Sequence, residues 1–218
     1  MQTTRSQILE LLKKKGKATV EELAAATEVT SAAIRHQLAI LERDALVASE
    51  EVHGALGRPR YLYRLTQRGD DLFLKNYFGL SRLILEEFQE LPGEDLLKQD
   101  ADGKLGLLFE RIGNRLVREN LDRVRGRSLE ERIAEVVNIL KEDGNIPEWH
   151  KTDYGFKILD YNCPYHRLAQ TAPQICDMRL NFLTRMLQAE VARENHANSD
   201  SPCCVYKVQE RNVVYFMS

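Results

Sequence analysis

The stretch from Thr19 to Leu46 constrains the fold of this 218-residue chain most, because it contains two helix patterns separated by a short turn. Glu21 to Ala26 has the small, helix-favouring composition of a first helix, and residues 28–30 form the turn. Ser31 is predicted to be the N-cap of a second helix that runs to about Asp44. These spacings favour a helix-turn-helix, and an ordinary helical hairpin is the alternative.

The second helix combines an apolar stripe with an opposite face of short or basic side chains. Ile34, Leu38 and Leu41 fall at positions i, i+4 and i+7, which predicts one buried stripe. Short side chains at the N-terminal end would let the helix enter a DNA major groove, where basic side chains reach base edges or phosphates. The residues of this helix predicted to contact DNA are Ser31, Ala32, Arg35, His36 and Arg43.

The residues after Leu46 predict a two-stranded wing. Residues 47–52 alternate in polarity, residues 53–60 contain the Gly and Pro of a narrow turn, and Tyr61 to Leu65 is the returning strand. Arg58 and Arg60 at the tip are predicted to lie along phosphates or to enter the minor groove. A solvated hairpin loop is the alternative, but its place directly after a helix-turn-helix favours the wing.

Further helix patterns lie on both sides of this module. The segments predicted to be helical are Thr4 to Lys15, Gln67 to Tyr77 with Thr66 as its cap and Gly79 at its end, Leu80 to Leu91, and Leu105 to Val124. Winged-helix proteins commonly read two-fold operators as dimers, so the helices after the wing are the expected place for self-association. We therefore expect a homodimer that binds double-stranded operator DNA.

The last part of the chain mixes helix and strand patterns. Ser128 to Glu131 fits a capping box that opens a helix, Tyr154 to Tyr161 is a predicted strand, and a helix is predicted from near Cys176 to about Ala192. The expected fold is mainly α with an α+β C-terminal part. Its predicted domains are a winged helix-turn-helix (1–79), a helical connector for dimerisation (80–127) and a C-terminal sensor domain (128–218).

The hydropathy pattern predicts a cytoplasmic protein. Hydrophobic residues make up 43 % of the chain, yet no apolar run approaches the ~20 residues of a membrane span, so we expect no membrane contact. The net charge is −2, but residues 1–68 contain 11 Lys and Arg against 8 Asp and Glu. The small basic excess therefore coincides with the predicted DNA-binding module.

All four cysteines lie in the last quarter of the sequence, and Cys163 and Cys176 form a C-x12-C pair. In a reducing cytosol this clustering suggests metal or redox use more than disulfides. The absence of a CxxC pair counts against a zinc ribbon, whereas iron–sulfur clusters tolerate dispersed ligands. The spacing leaves a metal site, a thiol redox switch and structural cysteines open.

The chain resembles the SufR-type repressors of iron–sulfur cluster assembly operons, winged-helix proteins related to the DeoR and ArsR groups. The resemblance includes the helix-turn-helix, the wing sequence of residues 57–63, residues 128–149, and the segment Ile158 to Cys163. It implies a homodimer with a [4Fe–4S] cluster in each subunit, whose cluster-bound form represses transcription. Cys163, Cys176 and Cys204 match the family's ligands.

The chain departs from that family at the fourth ligand. Many members have a cysteine thirteen residues after the second of the pair, where this chain has Glu190. The candidates for the remaining ligand are Glu190, Cys203, His166 and His196.

The expected function is that of an iron–sulfur-dependent transcriptional repressor and not of an enzyme. The chain lacks a P-loop, a dinucleotide fingerprint, a nucleophile elbow and a zinc-protease motif. The nearest alternative is a winged-helix regulator whose cysteines bind zinc or act as a thiol switch. A more distant alternative is an interaction protein that uses the winged helix to bind another protein.

Overall fold

A computed structural model describes residues 3–52, 60–197 and 202–211. These residues fall into two compact units, one within Met1–Leu74 and Ala197–Cys203 and the other within Lys75–His196 and Cys204–Ser218. Both units combine helices with an antiparallel sheet, so the described part of the chain is mixed α/β. None of the helices in this part is long and apolar enough to cross a membrane.

The described residues of the first unit form four helices and a three-stranded sheet. The elements are α1 (Thr4–Lys15), β1 (Lys17–Ala18), α2 (Val20–Thr27), α3 (Ser31–Arg43), β2 (Val47–Val52), β3 (Arg60–Leu65) and α4 (Gln67–Asp70). The strand order is β1-β3-β2, with every pair antiparallel. The two strands of the predicted wing are therefore present, and β1 joins them as a short third strand that the sequence did not indicate.

The helices of this unit begin at capping residues and bury one stripe each. Thr19 and Glu22 form a capping box at the start of α2, and Gly16 ends α1 with a positive φ of 76°. Ile34, Leu38 and Leu41 of α3 are at most 1 % exposed, which confirms the predicted stripe. They pack with apolar residues of α1, α2 and β2 in one core.

Two predicted boundaries in the first unit are wrong. Thr30, not Ser31, is the N-cap of α3, because its extended backbone places its Oγ1 3.3 Å from the Ala33 N–H, which donates to it. The helix that starts at Gln67 ends at Asp70 and does not reach Tyr77.

The chain begins a new helix where the sequence predicted the end of one. The Asn76 Oδ1 accepts a hydrogen bond of 3.1 Å from the Gly79 N–H and caps α5 (Tyr77–Gln89). Gly79 is therefore a residue of the first turn, where a Cβ would collide with the capping oxygen.

The second unit begins with helices and continues with a four-stranded sheet. Its other elements are α6 (Gly93–Leu97), α7 (Ala101–Asn120) with a 3₁₀ turn (Leu121–Arg123), α8 (Leu129–Glu142), β4 (Pro147–Thr152), β5 (Gly155–Asp160), α9 (His166–Ala169), α10 (Gln174–Leu187), β6 (Glu190–Asn195) and β7 (Cys204–Gln209). The strand order is β4-β5-β7-β6, all antiparallel. The capping box at Ser128 and Glu131 is confirmed.

The prediction that the last helix continues to about Ala192 is wrong. α10 ends at Leu187, and Gln188 adopts the left-handed conformation with a φ of 50°. The next residues form β6, which pairs with β7. A β-bulge near Arg193 interrupts the regular alternation that would identify this strand in the sequence.

Candidate nucleic-acid interface and metal centre

The face of α3 opposite the core stripe is exposed. Ala32, Arg35, His36 and Arg43 are all exposed, and Ser31 is partly buried at the start of the helix. Side chains at the N-terminal end are small, so the helix can approach a base edge or a phosphate closely. Every α3 residue predicted to contact DNA therefore lies at the surface or at its margin.

Arg35 forms an ion pair that a phosphate can replace. Its Nη2 lies 3.4 Å from the Glu21 Oε1, and the two side chains are 60 % and 71 % exposed. Exposed pairs of this kind contribute about 0–1 kcal/mol. The guanidinium is therefore available to an external anion at little cost.

The wing strands pair in register from Val47 opposite Leu65 to Val52 opposite Arg60. Arg60 is exposed at the first position of β3. Arg58 and the rest of the predicted tip lie outside the described residues.

The three family-matched cysteines lie on three different elements of the second unit. Cys163 follows β5, Cys176 is the third residue of α10, and Cys204 is the first residue of β7, directly opposite Asp160 of β5. All four cysteines lie among the described residues, and none forms a disulfide. The predicted positions in a loop, at a helix start and at a strand start are confirmed.

The charge of Arg179 acts on two of these thiols, those of Cys163 and Cys176. Burial raises the pKa of the Cys163 thiol to about 12, while the charge of Arg179 opposes that rise and the nearby Cys204 adds to it. Burial also raises the pKa of Cys176, against the charges of Arg193 and Arg179. Both thiols are therefore neutral at pH 7, and a metal that binds them must release their protons.

A buried polar network holds Arg179 in place. Its Nη2 donates to the Asp143 Oδ2 and the Asn145 Oδ1, both at 3.3 Å. The Asn145 Nδ2 donates to the Asp160 Oδ2 at 2.5 Å, and the Tyr165 hydroxyl donates to Asp143 at 3.2 Å. The network thus joins the end of α8, the end of β5, the cysteine loop and α10.

The structure does not bring Glu190 to the thiols. Glu190 pairs with Gln209, five residues along β7 from Cys204, which corresponds to about 17 Å at a strand rise of about 3.3 Å per residue. Because successive side chains alternate between faces, Glu190 also lies on the face opposite that of Cys204. This carboxylate is the least suited of the four candidates for the fourth ligand.

The other three candidates lie closer to the family-matched cysteines along the chain. The backbone N–H of His166 donates to the backbone carbonyl of Cys163 at 3.2 Å, which places this histidine one turn after Cys163. His196 follows Asn195, which pairs with Val205 next to Cys204. Cys203 is buried and directly precedes β7. Across the described residues, no three His, Cys, Asp or Glu side chains are grouped as the ligands of a metal ion.

Comparison with known proteins identifies the helix-turn-helix. Residues 2–49, which include α1, α2, α3 and the start of β2, match the family model described as bacterial regulatory protein, arsR family. The chain carries an ArsR-family helix-turn-helix domain. No curated protein and no solved structure matches the chain.

The match to this family model supports a general role in DNA-binding transcription regulation. Proteins with this domain are DNA-binding transcription regulators and are generally not enzymes. The exposed face of α3 described above belongs to this domain, as does the ion pair between Arg35 and Glu21.

The sequence analysis did not identify the polar and charged residues near the cysteines of the second unit, namely Arg179, Asp143 and Asn145. Arg179 follows Cys176 by three residues and therefore lies one turn further along the same side of α10. That spacing was a usable signal. Asp143 and Asn145 gave none, because a polar Asp-Gly-Asn sequence after a helix is typical of an ordinary turn.

Proposed function

We propose that this ArsR-family regulator is a cytoplasmic homodimeric repressor of iron–sulfur cluster assembly genes, and that a [4Fe–4S] cluster controls its binding to operator DNA. The observation that carries the proposal is the placement of three cysteines outside the DNA-binding domain, at the ends of elements of the second unit. Cys163 follows β5, Cys204 begins β7 opposite the last residue of β5, and Cys176 lies in the first turn of α10. The resemblance to SufR-type repressors supplies the identity of the cluster.

Cysteine thiols and nearby arginines have the chemistry that an anionic iron–sulfur cluster requires of its ligands and surroundings. The three thiols come from a loop, a helix start and a strand start, and thiolates are the preferred ligands of iron–sulfur clusters. Arg193, which acts electrostatically on Cys176, has a buried Nη1 without a hydrogen-bond partner. Cys163, Cys176 and Cys204 would hold three irons, and His166, His196 or Cys203 would hold the fourth. The bound cluster would supply sensitivity to oxidants and to iron supply.

The proposed control is a population shift. A cluster favours the DNA-competent conformation only if it binds that conformation more tightly than the other. The protein's part is to arrange the cysteine loop, the start of α10 and the start of β7 so that three thiolates can bind together. Arg179 positions these elements because its bonds join α10 to the end of α8.

The proposed dimer uses an apolar face of α5. Phe78, Leu85 and Phe88 are 84 %, 64 % and 55 % exposed, and their spacing places them along one side of the helix. An exposed apolar stripe of this kind marks an interaction surface, and a second copy of the chain can cover it with its own α5. Leu85→Glu should produce a monomer in light scattering, whereas the same change at Leu121 should not. A dimeric Leu85→Glu variant would rule out this face.

Anaerobic purification tests the cofactor. The proposal predicts a brown protein with about four irons and four sulfides per chain. Cys163→Ser, Cys176→Ser and Cys204→Ser should each remove both the cluster and selective DNA binding. A colourless protein that contains zinc, or a Cys→Ser variant that keeps the full cluster, would contradict the assigned ligand set.

DNA binding is tested with operator sequences selected from random duplexes by the cluster-loaded protein. Arg35→Ala and Arg58→Ala should weaken binding and leave the cluster intact. Arg118→Ala removes an exposed charge from α7 and serves as the matched control. If the affinity of the Arg35 and Arg58 variants equals that of the control, neither arginine contacts DNA.

A further inference from the structure

Arg193 lies between the elements that carry two of the cysteines. On β6 it pairs with Tyr206 of β7, so its side chain shares a sheet face with Tyr206 and, two residues away, with Cys204. Its Nη2 lies 3.9 Å from the Oδ1 of Asp177, the residue after Cys176. The guanidinium therefore reaches from the face of Cys204 to the first turn of α10.

One end of this guanidinium has no protein partner. The Arg193 Nη1 is buried and forms no hydrogen bond within the described structure, and the side chain as a whole is 18 % exposed. Arg179 differs, because two acceptors on Asp143 and Asn145 bind its Nη2. An unsatisfied buried donor is costly, so a built site usually supplies its acceptor.

We propose that Arg193 is a positioning residue of the cysteine site, and that its Nη1 donates a hydrogen bond to a thiolate or sulfide of the bound cluster. This inference rests on the proposed [4Fe–4S] cluster. The positive charge of Arg193 offsets the negative charge that Cys176 acquires as a ligand. Its ion pair with Asp177 is secondary, because Asp177 is 71 % exposed.

Four variants separate the charge of Arg193 from its structural contacts. Arg193→Gln removes the charge, and Arg193→Lys keeps the charge but removes the fork. Asp177→Asn removes the ion pair while Arg193 keeps its charge. Lys207→Gln removes a positive charge from the other face of the same sheet, next to the strand position of Arg193.

The readout is the loss of cluster absorbance to a chelator, measured anaerobically on the full chain together with iron and sulfide content. Arg193→Gln should lose the cluster about 10-fold faster than the parent chain, because supporting residues of metal ligands have effects of about 10–100-fold. Arg193→Lys should lose the cluster at a rate between those of the parent chain and of Arg193→Gln. Lys207→Gln should match the parent, and Asp177→Asn should match it or lose the cluster more slowly, since it removes a negative charge beside Cys176.

The outcomes distinguish the two proposals. If the parent chain takes up no iron and sulfide, the proposed function fails. If the parent chain is loaded and Arg193→Gln keeps its cluster as long as Lys207→Gln does, Arg193 has no role at the site. If Asp177→Asn accelerates loss as much as Arg193→Gln does, the arginine acts only through its ion pair. Circular dichroism of the metal-free variants identifies any change that only unfolds β6.

Discussion

Asp143 holds the buried network of the second unit together, and its charge can be removed without a change of shape. Its carboxylate accepts hydrogen bonds from the Arg179 Nη2, the Tyr165 hydroxyl and, at 2.6 Å, the Asn76 Nδ2. Asp143→Asn keeps the volume but replaces one acceptor with a donor. The Arg179 guanidinium then faces an amide in place of its ion-pair partner.

The expected loss of unfolding free energy follows from the burial of the ion pair between Asp143 and Arg179. Breaking a buried ion pair by removing one partner costs about 3–5 kcal/mol, because the remaining charge is left without its partner. The Arg179 side chain is 11 % exposed and that of Asp143 is 30 % exposed, which places this pair at the lower end of that range. We therefore expect Asp143→Asn to lower the free energy of unfolding by about 3 kcal/mol.

Urea unfolding of the metal-free protein measures this loss. Trp149 is the only tryptophan of the chain and lies on β4, so its fluorescence reports on the second unit alone. With a slope of about 2 kcal/mol per molar urea, the midpoint should fall by about 1.5 M. A double-mutant cycle with Arg179→Met should show positive coupling, since the second change removes the charge that the first one exposed.

The neighbouring residue provides a matched control. Glu142 also forms an ion pair, with the Arg123 Nη2 at 2.7 Å, but the two side chains are 62 % and 43 % exposed. Glu142→Gln should therefore cost less than about 1 kcal/mol. If Asp143→Asn costs no more than Glu142→Gln, or if the double-mutant cycle is additive within about 0.5 kcal/mol, the network does not hold this unit together.

Three further predictions test the two units separately. Thr30→Ala should lower the free energy of unfolding by about 1 kcal/mol and Ser31→Ala by much less, because Thr30 alone caps α3. Equal losses in calorimetry would mean that both residues contribute to the cap. Leu38→Ala should lower the free energy of unfolding by about 2–5 kcal/mol in the same assay, since this side chain is 1 % exposed. A smaller loss would indicate a loosely packed core. Cys163 of the metal-free protein should be alkylated about 1,000-fold more slowly at pH 8 than in the urea-unfolded chain, because burial raises its pKa from 9.0 to about 12. Peptide mass spectrometry measures both alkylation rates. Equal rates would show that the thiol is exposed in the folded protein.

The sequence predicted the first unit well because its signals are local. Thr4–Lys15 has the predicted bounds of α1, and the apolar stripe of α3 is buried as expected. Such features depend on neighbours three or four residues apart. The wrong N-cap of α3 shows the limit of this reasoning, since Thr30 and Ser31 are both good caps and only the backbone conformation distinguishes them.

Much of the second unit depends on contacts between distant residues, which one sequence does not reveal. The sequence predicts a helix over the first half of β6, because only Gln188, in the left-handed conformation, and Ala189 separate this strand from α10. The partner that makes it a strand, β7, lies beyond residue 203. The sequence places Cys163 after a strand, Cys176 at a helix start and Cys204 at a strand start, as the structure has them. Glu190 is predicted to be helical but lies on β6, and the register that separates it from Cys204 follows only from the paired sheet.

Side-chain hydrogen bonds connect the cysteine loop to the start of α5. Asn76, which caps α5, donates to the Asp143 carboxylate that also accepts from Tyr165, two residues after Cys163. The Lys75 Nζ donates to the Asn162 Oδ1 at 3.2 Å, one residue before Cys163. These bonds connect residues on both sides of Cys163 to the start of α5. We therefore expect a displacement of this loop to disturb the hydrogen bonds of Lys75 and Asn76.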